Sequence, residues 1–284
     1  MALIAETFKV EIDNLDRLKS LVNNLTAQTN EICIVVSEDG LRFVTNDSTR
    51  QQTIIFFNRS ALRSIETTVR ENKYIMIKVP LEEFIDLFDK NEWADAVCVF
   101  EYNEEIAKLR ISVEENCLME SDMKADKVDC NMLFMEDMKI CVFRCKITTS
   151  MIAGIFEFIT RFSTHVKMAV SAEGLYFFSM DDFKNESIVL STSKDIIELT
   201  AEYTTFHWFS SNKLKSFLPF LSMSNYCRMK LSKKGILELT IELSDFDDGR
   251  VSIQTWIQDV DEPIDMKEYE DEEEISDTIM ASIE

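Results

Sequence analysis

The chain has 284 residues, 46% of them apolar, enough for two ordinary cores, and a formal net charge of -22. No apolar run reaches membrane-span length and no basic stretch precedes a signal-like core, so a soluble, intracellular protein is expected, with no membrane partner. Seven scattered cysteines without a Cys-x-x-Cys pair, and only two histidines, argue against a zinc site and point to a reducing compartment.

The first predicted element is an alternating strand, Phe8 to Ile12. Asp13 or Asn14 then caps a helix with Leu15, Leu18, Leu21, Val22 and Leu25 on one face. Ile32 to Phe43 reads as a hairpin turning at Gly40, followed by strands at Thr53 to Phe57 and Tyr74 to Val79. Pro80 opens a second helix, Leu81 to Phe88, and strands near Ala96 to Tyr102 and Ile106 to Val113 close the unit. The polar, methionine-dotted stretch 116–139 reads as a linker between a first unit (1–115) and a second (140–260).

The second unit repeats the order. A strand at Val142 to Ile147 leads to a helix through Ile152, Ile155, Phe156 and Ile159. The hairpin Val166 to Phe177, turning at Gly174, lies 134 positions after its first-unit counterpart. Strands follow at Ser187 to Ser191 and Thr205 to Phe209, then a helix with Leu214, Phe217, Leu218 and Leu221 on one face. Tyr226 to Leu231 and Ile236 to Leu243 match the first unit's closing strands, whereas Val251 to Ile257 finds no partner there. From Asp259 onward twelve acidic residues face one lysine, a net of -11, and residues 261–284 read as a disordered acidic tail. The order predicts an α+β fold of antiparallel sheets with two short helices per unit.

A duplicated unit of this kind resembles the eukaryotic sliding DNA clamps over roughly Phe8 to Ile257. The most specific piece is Ser37-Glu38-Asp39-Gly40-Leu41-Arg42-Phe43 followed by Asp47-Ser48-Thr49-Arg50. It is similar to the glycine hairpin and Asp-Ser-Ser-His of proliferating cell nuclear antigen. Arg50, where that replication clamp has histidine, draws the resemblance toward the heterotrimeric checkpoint clamp.

The resemblance implies a nuclear ring of three two-domain subunits, with sheets outside and helices lining a hole that encircles double-stranded DNA. It implies a clamp-loader ATPase as partner, and repair, polymerase or checkpoint proteins as clients. By position in the family, Lys108, Leu109 and Ile111 would pair with Ile188, Val189 and Leu190 of a neighbour. The DNA-facing cations would be Arg17, Lys19, Lys90, Arg161, Lys213 and Lys215, because a duplex presents one phosphate charge per about 1.7 Å. The helix Leu81–Lys90 is acidic where the replication clamp is basic, which favours a heterotrimer over a homotrimeric polymerase processivity factor. The partner groove would involve Asp47, Arg50, Leu133, Phe134, Trp256 and Ile257. Polar Asn46, Gln51 and Thr53 and the missing proline after Trp256 argue against the usual glutamine-and-aromatic peptide. Ser276, Thr278 and Ser282 in the tail are phosphorylation candidates by the same resemblance.

No catalytic pattern emerges, and neither a cofactor nor a metal is expected. There is no phosphate-cradling Gly-x-x-x-x-Gly-Lys loop, and neither His165 nor His207 has a nucleophile beside it in sequence. The alternative from another class is an enzyme using paired carboxylates, Asp181 and Asp182, in a cleft between the units; Asp247 and Asp248 form a second such pair.

Overall fold

The computed structural model describes residues 5–45, 50–69, 73–88, 96–114, 118–128, 137–161, 163–181, 184–191, 195–243 and 250–261. The first half runs β1 (Thr7–Ile12), α1 (Leu15–Asn23), β2 (Glu31–Ser37), β3 (Gly40–Thr45), β4 (Gln51–Asn58), β5 (Ser64–Thr67), β6 (Ile75–Pro80), α2 (Leu81–Asp86), β7 (Val97–Asn103), β8 (Lys108–Glu114), β9 (Leu118–Lys124) and β10 (Asp126–Lys127). The second runs β11 (Cys141–Thr148), α3 (Thr149–Ile159), β12 (His165–Val170), β13 (Gly174–Asp181), β14 (Lys184–Ser191), β15 (Ile196–Ala201), β16 (Thr205–Ser210), α4 (Ser211–Lys215), α5 (Leu218–Leu221), β17 (Tyr226–Ser232), β18 (Ile236–Leu243) and β19 (Val251–Gln258).

The two halves share one wiring. The order β5-β1-β7-β8-β9 in the first is matched by β15-β11-β17-β18-β19 in the second, and β6-β2-β3-β4 by β16-β12-β13-β14. Register agrees residue by residue. Lys9 faces Glu101, Glu101 faces Arg110 and Arg110 faces Asp122, as Arg144 faces Lys230, Lys230 faces Glu238 and Glu238 faces Trp256. The hairpin glycines repeat a steric reason as well. A Cβ on Gly40 would stand 2.1 Å from the Phe57 carbonyl oxygen, and one on Gly174 would stand 2.5 Å from that of Leu190.

The halves are joined because β4 pairs antiparallel with β19, from Gln51↔Ile257 to Phe57↔Val251, making one ten-stranded sheet. On its inner side this junction is hydroxyl-lined: Thr53 Oγ1 and Thr255 Oγ1 lie 2.8 Å apart, both fully buried. Gln51 Nε2 donates to Ser216 Oγ at 2.8 Å, and Gln28 Nε2 to the Ser216 carbonyl oxygen at 3.4 Å, tying the first half to the α4 end.

Each helix buries one stripe. Leu15, Leu18, Leu21 and Val22 of α1, and Ile152, Ile155, Phe156 and Ile159 of α3, enter the same core as the inward rows of the sheets. Asn14, with φ 64°, accepts the Arg17 N–H at 3.2 Å and caps α1. The single helix expected through Leu214 and Leu221 is two short ones, α4 and α5. Pro219 has no N–H to offer and its ring crowds the preceding turn, so the chain re-starts at Leu218.

Two expectations are corrected. Residues 118–124 are not linker: they form β9, the fifth strand of the first sheet, and they are the counterpart that β19 lacked. In consequence Lys108, Leu109 and Ile111 lie in an inner strand, since β8 is paired with β7 on one side and β9 on the other. Leu109 and Ile111 point into the core.

Candidate subunit and nucleic-acid interfaces

Among the described residues β9 and β14 are the longest strands that end a sheet with one side unpaired. Such edges carry rows of free N–H and C=O groups that invite another strand. β9 alternates exposed Leu118, Glu120, Asp122 and Lys124 with Met119, Ser121 and buried Met123. On β14, Val189 is exposed, Ile188 half-buried and Leu190 buried. Ile188, Val189 and Leu190 lie on this end strand.

The internal junction supplies a register for these edges. By the shared wiring, β9 is the counterpart of β19 and β14 that of β4. Asp122 then corresponds to Trp256 and Leu118 to Ser252, while Gly40 corresponding to Gly174 makes Val189 the counterpart of Phe56. Ser252 faces Phe56 across the internal junction. Applied to β9 and β14, the same register would set Leu118 opposite Val189. They are 61% and 49% exposed, large apolar side chains on the two open edges.

The helix side carries mixed charge. Arg17 and Lys19 on α1 are half-buried, and Lys19 Nζ donates to the Phe88 carbonyl oxygen at 3.3 Å, fastening α1 to the end of α2. Arg161, just beyond α3, is exposed; on α4 Lys213 is half-buried and Lys215 exposed. Against these stand exposed Glu82, Glu83 and Asp86 of α2 and Glu157 of α3. Lys90 lies outside the described residues. The face is thus locally cationic at α4 and anionic at α2.

On the outer side of the junction a second apolar cluster gathers Cys33, Val35, Val44, Ile54, Met76, Ile236 and Trp256, with Val128 and Met138 from the segment between the halves packed on it. Trp256 Nε1 donates to Glu238 Oε2 at 3.1 Å, and the buried Glu238 carboxylate also takes the Lys230 ammonium at 2.6 Å. Burying a carboxylate is costly unless it is paired and hydrogen-bonded, as Glu238 is. Of the expected groove residues that are described, only Trp256 contributes to this cluster. Ile257 points to the opposite face, into the main core, because neighbours on a strand alternate. Arg50, at φ 72°, donates from Nη1 to the Asp259 carbonyl oxygen at 3.3 Å and clasps the end of β19. Asp47, Leu133 and Phe134 lie outside the described residues, as do Ser276, Thr278 and Ser282.

Titratable groups show structural pairing. Glu104 is held below its ordinary carboxylate range by the Lys127 ammonium and the Glu6 N–H, and Asp122 by the Arg110 guanidinium. Burial pushes the thiols of Cys145 and Cys227 up to about 12. His207 Nδ1 lies 2.8 Å from Asp259 Oδ2, bracing the segment after β19. Asp181 closes β13, while Asp182, Asp247 and Asp248 lie outside the described residues. Among the described residues no three His, Cys, Asp or Glu stand together as a metal cage, and no helix is long and apolar enough to cross a membrane.

Mostly antiparallel sheets and few short helices define a clamp-like α+β protein. The family described as Repair protein Rad1/Rec1/Rad17 matches residues 7–242, and the chain belongs to it. This is the family of checkpoint-clamp subunits with the fold of proliferating cell nuclear antigen, clamp-like structural proteins of DNA repair and the damage response. No curated protein matches the chain by sequence.

Proposed function

We propose that this chain is one subunit of a three-membered ring that encircles double-stranded DNA in the nucleus and tethers repair and damage-checkpoint proteins to it. Its halves act as two tandem clamp domains, the helices facing the hole and the sheets facing outward. The observation that carries this reading is the seam: the chain's own β4–β19 register, applied to its two open edges, brings exposed Leu118 of one edge opposite exposed Val189 of the other. Closing a ring through β9 and β14 removes both edges and buries both side chains. The interface strand is then β9, with Ile188, Val189 and Leu190 on the complementary edge.

Arg17, Lys19, Arg161, Lys213 and Lys215 would meet the phosphates, weakly and without sequence preference, as sliding requires. Three copies of the acidic α2 in one hole would oppose this, which favours unlike subunits carrying the remaining positive charge. Loading calls for a separate ATPase, because a closed ring cannot thread onto internal DNA and the sequence has no phosphate loop of its own.

A second reading, the homotrimeric polymerase clamp, draws on the fact that Leu118 and Val189 both belong to this chain. Sedimentation separates the two. The heterotrimer reading expects the chain alone to run as a monomer and to enter a three-chain particle only with other clamp subunits. A stable self-trimer would replace it with the second reading.

A further inference from the structure

We propose that the acidic segment Asp265–Glu274 of this chain occupies a cationic patch on the outer face of its own second half, built by Arg144, Lys146, Arg228 and Lys230. In a chain of net charge -22 such a patch stands out. Arg144 sits directly opposite Lys230, and Lys146 opposite Arg228, on adjacent strands β11 and β17. All four alternate with core residues and so point away from the helices. Like charges set opposite one another across strands repel, and something must offset them.

The described carboxylates do so only in part. Glu238 takes Lys230 at 2.6 Å and Glu242 takes Arg228 at 2.5 Å. Arg144 is exposed with no carboxylate in salt-bridge range among the described residues. Lys146 faces the exposed Glu198 of β15 in register but makes no salt bridge among the described residues, and the Tyr226 ring lies 5.1 Å from its Nζ. The β17–β18 turn extends the patch with exposed Lys233 and Lys234, the latter paired with Asp137.

The described end of the chain passes close to this place. The Asp259 N–H donates to the Gly235 carbonyl oxygen at 2.9 Å, in that same turn, and the Val260 N–H donates to the Trp208 carbonyl oxygen of β16 at 2.8 Å, so the described chain passes the turn just before it ends at Asp261. The block lies roughly 7–13 Å along β17 from the turn and two to three strand spacings, about 10–14 Å, across the sheet from β19, so about 12–19 Å away. An extended chain would cover that in about four to six residues beyond Asp261, the start of the segment 265–274. Residues 265–274 hold seven carboxylates against one lysine. Tethering gives them an effective concentration of order mM, which a free polyanion such as DNA must exceed. The segment therefore also keeps the outer face from holding duplex that has not been encircled.

Carbodiimide coupling of the full-length chain, mapped by mass spectrometry, tests this. Amide links from Glu268–Glu274 should concentrate on Lys146, Lys230, Lys233 and Lys234, within one molecule in a mixture of isotope-labelled and unlabelled chains. Their yield should fall about tenfold in high salt. It should also fall in Arg144→Gln with Arg228→Gln, which leaves every lysine reporter in place and alters only exposed positions. Equal coupling to Lys213 and Lys215, links only between molecules, or indifference to both salt and the arginine changes would overturn the proposal. A lysine pattern that only added duplex DNA protects would assign the patch to nucleic acid instead.

Discussion

Replacing Leu118 by glutamate probes the seam with little risk to the fold. In the free chain Leu118 keeps 61% of its surface in water, and it belongs to no core cluster, so the isolated chain should lose no more than about 0.5 kcal/mol. In the assembled ring the same side chain would lie under a neighbour's strand. Full burial of a leucine is worth roughly 1.5–3 kcal/mol, so covering the exposed share contributes about 1–2 kcal/mol. A carboxylate enclosed there without a donor costs about 1–3 kcal/mol more. Together, about 3 kcal/mol weakens one pairwise contact on the order of a hundredfold, at tenfold per 1.4 kcal/mol. Sedimentation of subunit pairs reads this directly. Leu118→Glu should weaken binding to one neighbour and spare the other, and Val189→Glu should do the reverse. Unchanged binding to both neighbours, or equal loss to both, would refute the transferred register; a large drop in the isolated chain's Tm would show that β9 is a core strand.

Other consequences are as direct. Lys213→Glu with Lys215→Glu should shorten retention of the assembled ring on DNA and lower the salt slope by about two, and retention unaltered at all salts would remove α4 from the DNA-facing surface. Trp256→Phe deprives the buried Glu238 of one donor and should cost about 1–3 kcal/mol in denaturant unfolding; a neutral result would mean that Lys230 alone suffices. With thiols pushed to about 12, Cys145 and Cys227 should resist thiol reagents in the native protein at neutral pH, while half-exposed Cys141 reacts. Rapid native labelling of Cys227 would show that this sheet opens.

The repeat was legible because both faces of its hairpins are demanding. Gly40 and Gly174 are fixed by an approaching carbonyl, and the strands beside them are apolar runs buried on both sides. β9 was not legible. Leu-Met-Glu-Ser-Asp-Met-Lys buries only Met123 fully, since an edge strand awaiting a partner has little reason to be apolar, and it reads as linker. With β9 read as linker, the expected interface strand falls one strand inside the sheet end, on Lys108, Leu109 and Ile111. β15 went unseen for a similar reason: it is a half-exposed edge, with Ile197, Glu198 and Thr200 all in water. Ile257 was misassigned to the groove because a face cannot be read at a strand end without its register. The cations on the helices were visible as residues, whereas the Lys19 bond to the end of α2 depends on a contact 69 positions away.

Topology on DNA tests the central claim most directly. The chain, assembled with its neighbouring subunits and loaded by the clamp-loader ATPase onto nicked circular DNA, is challenged with high salt and then with a nuclease that linearises the circle. Encirclement predicts that the complex survives the salt and leaves only after the cut, by sliding off an end. Release by salt alone, with no effect of linearisation, would contradict it.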